Sequence, residues 1–252
     1  MNRFFPGLLA DSEHLQGDGP SGNQEHLHAQ HELATASGLT FEHSVFLPAH
    51  FESRHAYPLL IWLHSAGGDE DQAAEVLPAI SQRNYMGAGL RGNGLAEAGF
   101  CWKQTATAIE TATNQVVDLI DWLENRFTIN PERIFVAGAG CGGTMAFRLA
   151  FRMPHLFAGA ASFNGAVPDS ENPLDNLRDC RMIPLFWMQN RQSKILPEPE
   201  LCGQLKLLHI AGFDVTLRQY PGVDELAEPP LADFNTWVME QLASQPDSGI
   251  VL

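Results

Sequence analysis

The chain is short of positive charge: 15 Lys and Arg stand against 30 Asp and Glu, for a formal net charge of −15. Such a surface repels phosphate backbones and anionic headgroups, so no nucleic-acid partner is expected. No run of apolar residues is long enough to span a bilayer. The segment Met1–Asp11 carries one positive charge, and Pro6 breaks its short apolar run, so no secretory signal is expected. The four cysteines, Cys101, Cys141, Cys180 and Cys202, are far apart and form no CxxC pair. Free thiols in a reducing cytoplasm are the expectation, with no disulfide framework and no structural zinc site. Neither a cofactor nor a metal is expected. There is no internal repeat and no sign of a second domain.

What is present is a globular composition, 44% hydrophobic over 252 residues, enough for one large domain with a buried core. Residues 1–34 are polar, with Gly and Ser near 17–23 and histidines at 14, 26, 28 and 31. They read as a flexible, solvated leader rather than a metal site, because the histidines lack regular spacing. Residues 35–246 read as the single domain and 247–252 as a tail.

Strand and helix signals alternate through that domain. Leu39–Leu47 alternates apolar and polar residues, as an early antiparallel strand does. Pro58–His64 is a near-continuous apolar run, as in a strand covered on both faces. Asn84–Gly89 is a weaker strand signal. Ile109, Ala112, Val116, Leu119, Ile120 and Leu123 recur at helical spacing between Thr105 and Phe127. A strand over Arg133–Gly138 leads into a helix over Gly142–Met153, which stops near Pro154. Further strands are expected at Ala158–Phe163, Ile183–Met188 and Val215–Tyr220, and helices at Glu200–Ala211 and Leu231–Leu242. This order implies an α/β domain, a mostly parallel sheet with helices on both faces.

Four stretches carry more than fold. Leu59–Glu70 reads LLIWLHSAGGDE, Phe127–Gly138 reads FTINPERIFVAG, Gly142–Ala146 reads GGTMA, and Asp214–Gly222 reads DVTLRQYPG. In order and spacing they resemble the phospholipase/carboxylesterase group of α/β-hydrolases, close to the poly-hydroxybutyrate depolymerase-like esterases. The resemblance covers about residues 38–245 and implies the α/β-hydrolase fold. It also implies a Gly-x-Ser-x-Gly turn that presents the nucleophile between a buried strand and a helix.

That turn is Gly138-Ala139-Gly140-Cys141-Gly142 here, and the nucleophile position falls on Gly140, which has no side chain. The acid position of the resembled pattern falls on Ser193 and the base position on Asp224. A test independent of register supports the last assignment: His209 is the final histidine, so the loop after Tyr220 contains none. Three positions in three loops depart from nucleophile, acid and base together. The expectation is a pseudoenzyme that retains an oxyanion-hole-like pocket for an acyl or carbonyl ligand or a protein partner. Its oxyanion donors would be backbone N–H groups of Cys141, Ser65 and Ala66.

An alternative stays open. Cys141, one residue on, is a candidate relocated nucleophile for an active carboxylesterase or thioesterase. Its position near a helix N-terminus is expected to lower its pKa. His64 is then a candidate base, against the plainer role of a structural histidine at a strand end. Trp102 lines the cleft or simply packs in the core. A third reading, a structural module with a filled cleft, is not separable from the first by sequence.

Overall fold

The computed structural model describes residues 38–244. The polar leader with its four histidines, and the 247–252 tail, lie outside the described residues. Seven strands form one sheet: β1 (His43–Phe46), β2 (Tyr57–Leu63), β3 (Met86–Leu90), β6 (Ile129–Ala139), β7 (Gly159–Phe163), β8 (Leu185–Asn190) and β9 (Val215–Tyr220). Their order is β1-β3-β2-β6-β7-β8-β9, with β1 antiparallel and every other pairing parallel. A short antiparallel ribbon, β4 (Gly94–Leu95) with β5 (Phe100–Cys101), stands apart from the sheet.

The six helices of the described residues are α1 (Gln72–Ile80), α2 (Ala106–Glu124), α3 (Cys141–Arg152), α4 (Leu177–Cys180), α5 (Glu198–Ala211) and α6 (Glu228–Ser244). All seven residues of β2 are buried, and alternate side chains enter two different cores. Leu59, Ile61 and Leu63 pack with the apolar faces of α2, α3 and α5. Leu60 and Trp62 pack with those of α1 and α6. The continuous apolar run in β2 is therefore the signature of a strand sandwiched between two helix layers.

The expected elements recur with ends shifted by a few residues, as fraying and last-turn geometry allow. Three were not anticipated: the β4–β5 ribbon, the one-turn α4, and α1. In α1, Pro78 lies inside the helix and removes one backbone donor. The burial of Ala73, Val76, Leu77 and Ile80 against the sheet outweighs that loss. α2 starts as its sequence suggests, with the Thr105 side chain accepting from the Ala108 N–H.

The crossing of α3 over β2 and β6 is set by glycine. A Cβ on Gly138 would lie 2.5 Å from the Gly142 carbonyl carbon, and one on Gly142 would lie 2.2 Å from the Leu63 oxygen. Gly142→Ala should therefore cost about 3 kcal/mol of unfolding free energy, because backbone must move to admit the methyl. Gly203→Ala is the internal control. That residue sits inside α5, and a methyl group there would have nothing within 4 Å of it. The change should add about 0.5–1 kcal/mol. Urea denaturation of the two variants checks both signs.

Candidate functional site

The turn between β6 and α3 is tightly constrained backbone at the carboxyl ends of the parallel strands. Gly140 has φ 53° and ψ −118°, a conformation that costs a non-glycine residue of order 1–3 kcal/mol. Its N–H donates to the Phe163 carbonyl at 2.8 Å, and its own carbonyl accepts from Thr144 N–H at 3.1 Å. Space at this position differs from that at its neighbours. A Cβ at Gly138, Gly142 or Gly143 would meet other atoms at 2.2–2.5 Å, whereas one at Gly140 would meet only Ile195 Cδ1 at 3.6 Å and Ser65 Cβ at 4.0 Å. The turn can hold a side chain at Gly140 and nowhere else among these glycines.

The loop after β2 forms one wall. Glu70 is buried and takes the Arg91 guanidinium at both carboxylate oxygens, through Nε at 2.6 Å and through Nη2. Arg91 also lies over the Phe100 ring, 4.8 Å from its centroid. Gly67 N–H donates to Phe100 O at 2.8 Å, which ties the loop to the ribbon. Within the loop, Gln72 Oε1 accepts from both Trp62 Nε1 at 3.0 Å and Ser65 N–H at 3.1 Å. Its Nε2 donates to Ser65 Oγ at 3.2 Å. Ser65, expected as an oxyanion donor, is therefore corrected: its N–H is committed to Gln72. The Ala66 N–H makes no hydrogen bond among the described residues, and Ala66 is exposed.

His64 is fully buried and fully used. Its Nε2 accepts from the Gly92 N–H at 2.8 Å, so the ring proton is on Nδ1, which donates to Ser65 O at 2.7 Å. Burial pushes its pKa below 6.5. A neutral imidazole with both nitrogens bonded to backbone has no capacity to take a proton from Cys141, so the candidate base is a structural residue. Trp102 packs against His64 with ring centroids 5.6 Å apart. It is a buried core residue, and its Nε1 has no partner among the described residues.

The Cys141 sulfur accepts from the Trp102 N–H at 3.5 Å. Burial pushes its pKa above the ordinary thiol value, outweighing the N–H groups of Trp102, Gly142 and Cys141 that favour the thiolate. The expectation of a lowered pKa is thus reversed. The helix N-terminus is present, but desolvation of the charged form is the larger effect.

Ser193 and Asp224 come from loops 31 residues apart and meet. The Ser193 hydroxyl donates to Asp224 Oδ1, and the Lys194 N–H donates to Asp224 Oδ2 at 2.8 Å. Ser193 Oγ in turn accepts from Leu196 N–H at 3.1 Å. Between this pair and the turn stands Ile195, 50% exposed, whose Cδ1 is the apolar atom facing Gly140. Sequence reasoning points to Ser193 and Asp224 but not to Ile195 and Gln72, since neither belongs to a chemistry-bearing residue type. Among the described residues no three His, Cys, Asp or Glu side chains cluster to hold a metal. No described helix is long and apolar enough to cross a membrane.

Comparison with known proteins agrees with this architecture. The Esterase family model, described as "Putative esterase", matches residues 36–211. Carboxylesterase SOBER1 of Arabidopsis thaliana is 22% identical over 115 residues, 45% of this chain and 50% of its own length. The chain spans about half the length of the curated relatives it matches. A solved carboxylesterase from Mesorhizobium loti superposes with a TM-score of 0.67 at 20% identity, over 82% of this chain and 97% of that one. The Bacillus cereus carboxylesterase superposes with a TM-score of 0.66 at 17% identity, over 86% and 99%. At these identities the superpositions show a shared α/β-hydrolase fold.

Two expected outcomes follow from the buried groups. Unfolding free energy should fall as pH drops below 6.5, because the unfolded chain then binds a proton at residue 64 that the folded chain refuses. The slope contributed is at most about 1.4 kcal/mol per pH unit. A His64→Gln variant, measured by urea denaturation across the same pH range, should show a flatter curve. Iodoacetamide at neutral pH should modify exposed Cys202 well before half-buried Cys141, as read by peptide mass spectrometry.

Proposed function

The chain belongs to this esterase family, and we propose that it is a member without hydrolytic activity that binds an acyl or carbonyl ligand at the turn. The observation that carries this reading is the steric signature of Gly140. It is the one uncrowded position in a turn of otherwise clashing glycines, at a backbone conformation a side chain adopts only under strain. That is where a nucleophile would project, and no atom projects there. Glycine relieves the strain and removes the reaction together.

The other two positions support the same conclusion. An acid next to an imidazole stabilises the imidazolium that forms in acyl transfer. Here the corresponding pair is a hydroxyl donating to a carboxylate, Ser193 to Asp224. Such a pair does not do what an imidazole does, which is to take a proton from a nucleophile near neutral pH and return it to a leaving alkoxide. The carboxylate is already satisfied by two donors. Ligand binding would use the N–H groups of Ala66 and Cys141, the second at the first turn of α3. Ile195 would meet the apolar part of the ligand. The relocated-nucleophile reading is disfavoured by the raised Cys141 pKa and by the spent nitrogens of His64.

Hydrolysis of p-nitrophenyl butyrate tests the proposal. The native chain and Gly140→Ser should both stay at the buffer rate. The triple change Gly140→Ser, Ser193→Asp, Asp224→His should raise the rate by on the order of 10²-fold, since positions 193 and 224 already touch. Native turnover abolished by Cys141→Ala would overturn the proposal.

A further inference from the structure

On the far part of α3, away from the turn, a buried cation makes no ion pair, although the Asp169 and Glu171 carboxylates lie near enough to favour its charge. Arg148 is 3% exposed, two turns along the helix from Cys141 and so about 10 Å from it. Its guanidinium has three partners, all neutral. Nε donates to Gln104 Oε1 at 3.2 Å, Nη2 to Ser170 Oγ at 3.2 Å, and Nη1 to the Glu171 backbone oxygen at 3.5 Å. These bonds are long for a charged donor, which normally sits about 2.7–2.9 Å from a carboxylate. Arg148 makes no ion pair with any described carboxylate. Burial pushes its pKa below the ordinary guanidinium value, because the desolvation penalty outweighs the attraction of Asp169 and Glu171.

The surroundings are short of acceptors. The other end of the Gln104 amide, Nε2, is buried with no partner among the described residues. Ser170 Oγ spends its proton on the Gln104 carbonyl at 3.2 Å, leaving a lone pair for Arg148. One turn on, at Arg152, a second guanidinium also makes no ion pair among the described residues. Like charges at i and i+4 repel on a helix.

Both arginines line one cavity of about 290 Å³ between α2, α3 and the loop before α4. The cavity's apolar surface includes Ile109 and Phe151, both almost fully buried, with Pro173 at the loop. The loop holds two successive non-glycine residues at positive φ, Glu171 at 53° and Asn172 at 46°. Carboxylates of Glu110, Glu171 and Asp175 stand in the wall without contacting either guanidinium.

We infer that this cavity binds a small apolar monocarboxylate, whose carboxyl group pairs with Arg148 and Arg152 while its hydrocarbon part lies on Ile109 and Phe151. The planar fork of a guanidinium matches a carboxylate in two parallel bonds. The volume suits a ligand of benzoate or butyrate size. The wall carboxylates, with Asp169 beside them, oppose any anion and oppose a dianion about twice as strongly, so a single carboxylate held between the two guanidinium groups is the charge this space admits. The site is independent of the turn at Gly140, and its occupancy does not require the reading proposed above.

Thermal unfolding of the full chain at constant ionic strength, with benzoate and then with inorganic phosphate, tests this. At roughly ten times its Kd, benzoate should raise Tm by about 3–6 °C, and phosphate should raise it far less. Arg148→Met should fold, since the change removes a buried charge that makes no ion pair, and should lose the benzoate shift. Arg152→Gln, at an exposed position, should weaken benzoate binding by about tenfold. No benzoate shift in the native chain would overturn the inference. So would a shift that survives Arg148→Met, which would place the anion elsewhere, or a phosphate shift equal to that of benzoate.

Discussion

The close approach of α3 to the carboxyl ends of β2 and β6 is the constraint on which the rest depends. It is a contact of backbone with backbone. Gly142 stands against the Leu63 and His64 carbonyls, and Gly138 stands against Gly142. Any methyl group there would push the helix away from the sheet. Because the helix is held so close, the chain must reverse within one residue, and that residue takes φ 53°. The same approach brings Ser65 and Ile195 to either side of the turn. A site geometry typical of acyl-transfer enzymes thus follows from three glycines before any reactive group is considered.

Given that geometry, the chemistry is decided by a few side chains. In the proposed reading, the turn has lost its attacking atom and the two supporting loops have replaced an acid–base pair with a hydroxyl–carboxylate pair. The second replacement is not neutral for structure. Asp224 accepts from Ser193 and from the Lys194 N–H, so it ties the loop that carries it to the loop after β8. Ile195 then presents hydrocarbon toward the turn. The wall opposite is equally committed. Gln72 holds Ser65, His64 bridges two backbone segments, and Glu70 clamps Arg91.

Much of this is legible in the residues. The uninterrupted apolar run of β2 announces a strand buried on both faces, and it is one. The spacing of Ile109, Val116 and Ile120 announces α2. The glycine pattern places the turn to the residue, because Gly138, Gly142 and Gly143 are required by contact. The absence of any histidine after His209 needs no alignment at all. What is not legible depends on tertiary partners. α1 contains Pro78, which local propensity reads as a break, and only burial of its apolar face stabilises it. The role of Gln72 rests on Trp62 and Ser65 arriving together. The lowered pKa of His64 and the raised pKa of Cys141 both come from burial, which overrides the helix-terminus argument that the sequence suggests. Arg148 looks like an ordinary helix residue until its exposure is known.

The proposed reading requires that no nucleophile be poised at the turn. The most direct test is exposure of the native protein to a fluorophosphonate probe, which phosphonylates activated serines and other activated nucleophiles, followed by intact mass and peptide mapping. No stoichiometric adduct is expected on residues 139–142 or on Ser65 and Ser193. One equivalent of label at any of those residues, lost on heat denaturation before treatment, would contradict it.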